Sequence, residues 1–290
     1  MPFCECRKGI YAIDEFGCSE VYVIVGSERA LIIDTGTGIG NLKTLIETQI
    51  TDKPYEVVAS HNHVDHLGGA GWFEKIYMHP ADIAHIDPFF PPTWEGRKNY
   101  ARIVNGTSDN RPYTDEDIKP WQSEPKFIPL ADGQVFDLGD RKITAWHCPG
   151  HTAGEMVFID HLTRTLLCGD AFNCNWLFDC SKLGDKKENV KIALEAMKRI
   201  YNMRDQYDVV YNFHHDFRAF GEPLPVDVIE NLIICLEQMW EGKAKLKEME
   251  DALNPGHKKN VAVYKNVFIT CMSGDIKEFC KKNSVKCRNT

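Results

Sequence analysis

The chain has 290 residues, of which 43% are hydrophobic and 26% charged, as expected for a globular protein that buries a sizeable core. Forty-two acidic against 34 basic side chains give a formal net charge of −8, which disfavours a nucleic-acid partner because the phosphate backbone would be repelled. The sequence shows no apolar run near the roughly 18 residues of a membrane span and no secretory signal pattern. Eleven cysteines without an export signal indicate reduced thiols, so we expect a cytoplasmic location.

The first part of the chain predicts short strands and one helix. The runs "VYVIVG" and "ALIIDTG" are rich in β-branched residues and are separated by a turn, which is typical of a hairpin. The stretch "NLKTLIETQI" has apolar residues at helical spacing, and "YEVVAS" follows as a strand. This strand–helix–strand order predicts a layered α/β arrangement.

Residues 87–125 differ from the rest of the chain. They are rich in proline, aromatic residues and polar turn formers, have little periodicity and are longer than an ordinary connection. Loops of this kind are often lids or binding elements, so we predict a lid or insertion here. The alternative is a disordered surface insertion.

The later part of the chain returns to strands from about residue 126 and then predicts two amphipathic helices. These are "ENVKIALEAMKRIYNM" and the longer "PVDVIENLIICLEQMWEGKAKL", followed by one strand-like run, "VAVYKNVFIT". The two halves have a similar order of elements, which favours two sheets facing each other with helices outside. We therefore predict a single domain over 1–290, with a C-terminal helical extension from about residue 222.

The stretch "SHNHVDHLGG" places His61, His63, Asp65 and His66 within six residues. In an extended segment, residues i and i+2 point to the same side, so His61 and His63 project together toward one ion. Asp65 and His66 follow where the chain turns and can face a second ion. The alternative is a solvated loop that happens to be rich in histidine. Because a catalytic zinc takes three protein ligands and keeps an open position, a two-ion site needs three more ligands.

Further candidates lie at the ends of predicted strands. His151 follows a proline–glycine bend, and Asp170 follows the apolar run "LLCG". The stretch "VVYNFHHDF" ends a strand with two adjacent histidines, so His214 and His215 both qualify as the last ligand. An aspartate after a strand is usually a cap or turn residue, but several such features at strand ends favour a metal site.

These residues carry a resemblance to a known family. "SHNHVDHLGG" is similar to the His-x-His-x-Asp-His motif of the metallo-β-lactamase superfamily. "LIIDTGTG" before it, and "HCPGHTAGEMVF" and "LLCGDAF" after it, continue the resemblance in the family's order over roughly residues 10–220. The resemblance implies an α/β fold of the family's type, a four-layer αβ/βα sandwich with metals at one edge between the sheets.

The resemblance also implies two divalent ions held by seven side chains. Three ligands bind the first ion, three bind the second, and one aspartate bridges the two. For the last ligand the family pattern selects His214 over His215, although Asn212 and Phe213 stand where relatives usually have Pro-Gly. The resemblance implies that His61, His63 and His151 bind the first ion and that Asp65, His66 and His214 bind the second. Asp170 is the implied bridge between the two ions.

The implied activity is hydrolysis. Two dications lower the pKa of a shared water from 15.7 toward ~7, so that a metal-bound hydroxide attacks the carbonyl of a small ester, thioester, lactone or β-lactam. Asp65 is the implied catalytic residue, because it can bind a metal and orient that hydroxide. Asp34 is expected to hold a ligating side chain by hydrogen bonds, its alternative role being a turn cap. Imidazole-rich sites suit zinc, with iron or manganese as alternatives.

Several functions within this superfamily stay open from sequence. Asp170 suits glyoxalase II and lactonase relatives better than β-lactamases that carry a cysteine there. The alternatives are a phosphodiesterase or nuclease and a di-iron redox protein, although relatives of the di-iron kind usually have a glutamate at the position that His63 occupies here. We expect a small-molecule substrate and neither a nucleic-acid nor a membrane partner, while monomer and homodimer both stay open. Four side chains in loops near the metal motifs are candidates for lining a substrate pocket: Trp94, Tyr100, Asn173 and Trp176.

Overall fold

The fold is given by a computed structural model, in which the strands of the described residues form three sheets, of seven, five and four strands. The residues that the structure describes are 1–84, 92–106, 111–178, 186–215, 218–251, 256–271 and 276–280.

The first sheet has its seven strands in chain order. Its first four strands pair antiparallel, and the remaining three are added in parallel. The strands are β1 Phe3–Arg7, β2 Ile10–Asp14, β3 Glu20–Val25, β4 Ala30–Ile33, β5 Tyr55–Val58, β6 Lys75–Met78 and β7 Lys126–Pro129. The helices between them are α1 Leu42–Leu45, which continues as a π-helical turn Ile46–Ile50, α2 Val64–Leu67, α3 Pro80–Ile83 and α4 Trp94–Asn105.

The second sheet is built from the middle of the chain. Its strands are β8 Val135–Asp137, β9 Lys142–His147, β10 Met156–Asp160, β11 Thr165–Leu167 and, after β12 Asn175–Phe178 leaves for the third sheet, β13 Val209–Tyr211. The spatial order is β13-β11-β10-β9-β8, in which β11 and β13 pair in parallel and the other neighbouring strands pair antiparallel. The long helix α5 Lys186–Tyr201 connects β12 to β13.

The C-terminal region differs from the predicted helical extension. Among its described residues it contains one α-helix, α6 Val228–Trp240, followed by the strands β14 Lys245–Glu250, β15 Lys258–Tyr264 and β16 Val267–Cys271 and by a short 3₁₀ helix, Ile276–Glu278. These strands and β12 form the third sheet, in the order β12-β16-β15-β14. The apolar face of α6 packs against β15 and β16, so this helix and the third sheet together cover the outer side of the second sheet.

The core is divided into layers by the alternation of side chains along the strands. On β3, Tyr22 and Ile24 point into the core between the first two sheets, whereas Val21 and Val23 point outward to the layer covered by α1. On β10, Phe158 points into the same central core, and its neighbours pack outward against α5 and α6. The order helix, sheet, sheet, helix confirms the predicted αβ/βα sandwich.

Part of the predicted insertion at 87–125 is helical. Thr93 caps α4 by accepting a hydrogen bond from the Gly96 amide at 3.2 Å, and a short 3₁₀ helix, Asp115–Asp117, follows. Residues 87–91 and 107–110 of the insertion lie outside the described part of the chain. Among the described residues, no helix has both the length and the apolar character needed to cross a bilayer.

Candidate metal centre

The predicted ligands lie at one edge of the two facing sheets. His61 and His63 follow β5, Asp170 follows β11, and His214 follows β13. Because β4 and β5 are parallel, as are β11 and β13, their carboxyl ends reach the same edge within each sheet. His151, in the turn between β9 and β10, joins them there.

The first group of side chains contains three imidazoles. His61 Nε2 lies 3.0 Å from His63 Nδ1, and His151 Nε2 lies 2.9 Å from the same atom. The ring of His63 is almost perpendicular to those of His61 and His151, at 82° and 84°. Two ligand atoms on one tetrahedral zinc, each about 2.05 Å from the metal, are about 3.3 Å apart, so this spacing fits a shared ion.

The second group combines carboxylates with imidazoles. His214 Nε2 lies 3.4 Å from Asp65 Oδ2, and His66 Nε2 lies 3.5 Å from that same oxygen. Asp170 faces both groups, since its Oδ2 is 3.1 Å from His214 Nε2 and 3.5 Å from His151 Nε2. The buried atoms His66 Nε2 and Asp170 Oδ1, 3.7 Å apart, make no hydrogen bond to any described group. Buried polar atoms at this spacing fit a cation placed between them.

Asp34 fixes the orientation of His66. Its Oδ2 lies 2.8 Å from His66 Nδ1, so that the other ring nitrogen, Nε2, faces the second group. The carboxylate also accepts the Ser60 amide at 2.6 Å and the Ser60 hydroxyl at 2.7 Å. Asp34 is completely buried and has a φ of 68°, in the left-handed region, which an aspartate tolerates better than most residues. A carboxylate behind a histidine is a common arrangement in metal sites.

Two polar residues that the sequence analysis did not single out contact His61. The Ser60 hydroxyl lies 2.9 Å from His61 Nδ1, and Glu155 Oε2 lies 3.4 Å from the same nitrogen. The other oxygen of Glu155 accepts the Asp170 amide at 3.0 Å, so one carboxylate touches ligands of both groups. Glu155 directly precedes the buried strand β10, and a charged residue at the entrance to such a strand is the signal that could have found it.

The imidazoles of the two groups have pKa values that are shifted in opposite directions. In the first group, burial and then the charge of His63 lower the pKa of His151 to about 4, and burial also lowers the pKa of His61. These rings are therefore neutral and offer lone pairs. In the second group, burial opposes the charge of His214, but Asp170 and Asp65 raise its pKa to about 9. Burial would raise the pKa of both carboxyls, yet the neighbouring imidazoles lower it. The carboxylates thus attract positive charge to this place.

The structure separates the two candidate late histidines. His214 belongs to the second group, whereas His215 Nδ1 lies 3.4 Å from Glu20 Oε1 and His215 belongs to neither group. The Arg218 guanidinium donates to the His214 carbonyl and to Asn212, which holds this segment in place.

The four predicted pocket residues are placed differently from one another. The Tyr100 hydroxyl donates to Asp65 Oδ2 at 2.6 Å, so this side chain reaches the second group. Trp94 is 43% exposed and donates its indole N–H to the Ile118 carbonyl. Trp176 is buried in the core under α5 and α6 rather than lining a pocket, because its ring packs there and its indole N–H donates to the Asp170 carbonyl at 3.1 Å. Asn173, three residues after Asp170, is buried.

The fold and this cluster define a class of protein, the αβ/βα sandwich with a histidine–aspartate metal centre at the sheet edge. Residues 17–216 match the family described as the Metallo-beta-lactamase superfamily. The chain belongs to this superfamily, and the family together with the His/Asp cluster supports a hydrolase of this fold.

Relatives with assigned activities include two thioesterases. The acyl-coenzyme A thioesterase MBLAC2 of Homo sapiens is 28% identical over 198 residues, covering 62% of this chain and 69% of the relative. The atrochrysone carboxyl ACP thioesterase dmxR1 of a Cryptosporiopsis species is 30% identical over 157 residues, covering 53% of this chain and 38% of the relative. Neither of these two is named as a lactonase or a glyoxalase II.

A solved structure shows the same fold at low sequence identity. The β-lactamase domain protein of Burkholderia ambifaria superposes with a TM-score of 0.56 at 17% identity, covering 85% of this chain and 80% of that one. At this identity the likeness concerns the fold alone.

Proposed function

We propose that the chain is a metal-dependent thioesterase that hydrolyses small acyl thioesters of the coenzyme A type. The observation that carries the proposal is the convergence of His61, His63 and His151 nitrogens to 2.9–3.0 Å beside a second group that shares Asp170. Relatives named as thioesterases, of coenzyme A and of an acyl carrier protein, support the choice of substrate class. In the reaction, water adds to the acyl carbon, the carbon–sulfur bond breaks, and an acid and a thiol are released.

The donor set suits two divalent ions. We assign His61, His63 and His151 to the first ion and the remaining ligands to the second, with Asp170 between them. Divalent ions bound there would polarise the acyl carbonyl and lower the pKa of a coordinated water toward about 7. Imidazole and carboxylate ligands suit zinc, while iron and manganese use similar donors. The second ion would be held by Asp65, His66 and His214.

We assign the side chains of the metal centre to orienting the attacking water and to holding the ligating residues in place. Asp65 is the group we assign to orienting the attacking water, since its carboxylate lies at the second group and is itself held by the Tyr100 hydroxyl. Asp34 and Glu155 hold ligating residues from behind, through His66 Nδ1 and the Asp170 amide. A thiol leaving group has a pKa near ~8.5, so its departure as a thiolate needs no strong general acid. That requirement suits a centre built from ligating imidazoles and carboxylates.

The test is a substrate panel on the zinc-loaded protein. Acyl-coenzyme A esters of short and long chains are compared with a lactone, a cephalosporin and a chromogenic phosphodiester. Thioester loss is followed by its ultraviolet absorbance, because the chain's eleven cysteines would themselves react with a thiol reagent. We expect thioesters to be the preferred substrates and His61→Ala to abolish their hydrolysis.

Three results would argue against the proposal. A preference for the phosphodiester would make the protein a phosphodiesterase of the same superfamily. Stoichiometric iron with oxygen uptake would favour a di-iron redox protein. A His61→Ala variant with wild-type turnover would show that the centre is not the active site.

A further inference from the structure

Tyr100 reaches the second group from the insertion. Its helix, α4, lies in the long segment between β6 and β7, far in sequence from the ligand motif. The phenol donates to Asp65 Oδ2 at 2.6 Å, and this oxygen is also the one nearest to the imidazoles of His66 and His214, at 3.5 and 3.4 Å. The hydroxyl therefore contacts the atom around which the second group is arranged.

We propose that Tyr100 is a positioning residue that orients the Asp65 carboxylate for the second ion. The insertion is then a structural part of the metal centre, in addition to any role as a cover for substrate. This inference rests on the two-ion assignment made under the proposed function.

The insertion is fastened to the segment that carries Asp65. The Trp121 indole donates to the Gly68 carbonyl at 2.7 Å, one turn after Asp65. Arg97 is almost completely buried, and its guanidinium donates to the Lys119 carbonyl at 2.6 Å. The same guanidinium packs so closely on Gly38 that a Cβ there would lie 2.7 Å from Nη1. Trp121 thus connects the insertion directly to the ligand loop, whereas Arg97 connects α4 to the segment before α1 and to the later part of the insertion.

A small apolar cluster completes this attachment. Ala101, next to Tyr100, packs with Ile39, Ile118 and Cys18, and all four are buried. Apolar contacts of this kind fix the direction in which the neighbouring Tyr100 side chain leaves the helix. The phenol is thus presented to Asp65 by a packed surface, which is what precise orientation of a ligand requires.

Loss of the Tyr100 hydroxyl should weaken the binding of the second ion and not that of the first. A hydrogen bond from a hydroxyl to a carboxylate is of the charge-assisted kind, and loss of such an outer contact typically lowers metal affinity about 10–100-fold. The first group has its own supports, since the Ser60 hydroxyl contacts His61 and His151 Nδ1 lies 2.8 Å from the Leu177 carbonyl. Removing the phenol hydroxyl should leave those supports unchanged.

The experiment titrates zinc into metal-free protein in competition with a chelator, for wild type, Tyr100→Phe and Tyr113→Phe. Tyr113→Phe is the matched control, because it removes the same hydroxyl from the same insertion at a place where that hydroxyl accepts a bond from Asn105 at 2.9 Å. We expect two zinc ions in wild type and in the control. In Tyr100→Phe we expect an unchanged first step and a second step weakened about 10–100-fold.

The outcomes distinguish a failure of the Tyr100 role from a failure of the two-ion assignment. Two-ion binding in wild type that Tyr100→Phe leaves unaltered overturns the role of Tyr100 alone. Equal weakening of both steps, together with a lower melting temperature, shows a general structural effect and also overturns it. A wild-type protein that binds a single ion overturns the two-ion assignment and this inference with it.

Discussion

Replacing Asp34 with asparagine tests whether a buried carboxylate sets the direction of a metal ligand. Asp34 is completely buried and accepts three hydrogen bonds, at 2.6 and 2.7 Å from Ser60 and at 2.8 Å with His66 Nδ1. Asparagine has the same shape and tolerates the left-handed backbone at this position, where φ is 68°. The change therefore replaces one oxygen with an NH₂ group and removes the charge.

The magnitude follows from the contacts. The side-chain oxygen of the asparagine can still accept a hydrogen bond from the Ser60 backbone N–H. The NH₂ group then takes the position of Oδ2, which in the wild type accepts hydrogen bonds from the Ser60 hydroxyl and from His66 Nδ1. His66 Nδ1 can accept a hydrogen bond from this NH₂ group only if the imidazole proton lies on Nε2, the atom that faces Asp65 and Asp170. Losing a hydrogen bond to a charged group costs about 1.5–3 kcal/mol of stability. A ligand held in the wrong tautomer should weaken the second ion about 10–100-fold, or about 1.4–2.8 kcal/mol.

The assay combines urea unfolding of the metal-free protein with zinc titration against a chelator. Asp160→Asn is the matched control, because Asp160 is equally buried but pairs with Arg141, away from the metal centre. Breaking that buried ion pair should cost about 3–5 kcal/mol of stability and leave zinc affinity unchanged in the folded protein. An Asp34→Asn protein that binds both ions as wild type does would contradict this role of Asp34, and so would an equal loss of zinc in both variants.

Three further predictions concern metal dependence, the last ligand and acid stability. A chelator should abolish thioester hydrolysis and added zinc should restore it; full activity in metal-free protein would contradict the proposed function. His214→Ala should lose one ion by metal analysis whereas His215→Ala, beside Glu20, should keep both, and the reverse pattern would exchange their roles. His79 stacks on His147 with centroids 4.0 Å apart, and burial, then His147, lowers the pKa of His79 from 6.5 to about 4. Between these two pH values His79 is protonated in the unfolded chain but neutral in the folded chain, so the free energy of unfolding should fall as the pH drops from 6.5 toward 4. His79→Gln should flatten this slope in urea titrations of the metal-free protein, and an unchanged slope would count against it.

The strands and the polar residues near their ends could be predicted from the sequence because both depend on local patterns. His61, Asp170 and His214 each lie three residues beyond the end of a short apolar strand, β5, β11 and β13 respectively. The first histidine motif is compact enough to be recognised without any tertiary information. The four-layer arrangement, with the metals at one edge between the sheets, came with the family resemblance rather than with the periodicity.

The C-terminal sheet could not be predicted in the same way. The segment "KLKEME", which is β14, consists of residues with good helix propensity, and it reads as a continuation of α6. It becomes a strand because it pairs with β15 over its whole length, from Lys245 with Val263 to Glu250 with Lys258. Pairing of this kind depends on distant residues, and strand propensity is correspondingly sensitive to context.

The contacts that support the ligands were also outside the reach of the sequence. Glu155 lies within the motif "HCPGHTAGEMVF", but its contacts with His61 and the Asp170 amide, 94 and 15 positions away in the chain, depend on the tertiary fold. Trp176 illustrates a different difficulty, because the sequence alone does not show whether an aromatic residue near a metal motif lines a pocket or lies in the core. Its burial is decided by the packing of α5 and α6 over β12.

The spacing of the centre is finally a property of the packing between the sheets. His61 and His63 belong to a loop of the first sheet, whereas His151 and Asp170 belong to loops of the second, so the 2.9 Å between His151 and His63 nitrogens crosses the boundary. That distance is held by the central core, to which side chains such as Phe158 contribute. Because a metal centre needs its ligands within about 0.5 Å of the productive geometry, a slip of one sheet over the other by about 1 Å would separate the first group. Residues of the central core therefore determine the metal centre as directly as the groups that touch its ligands.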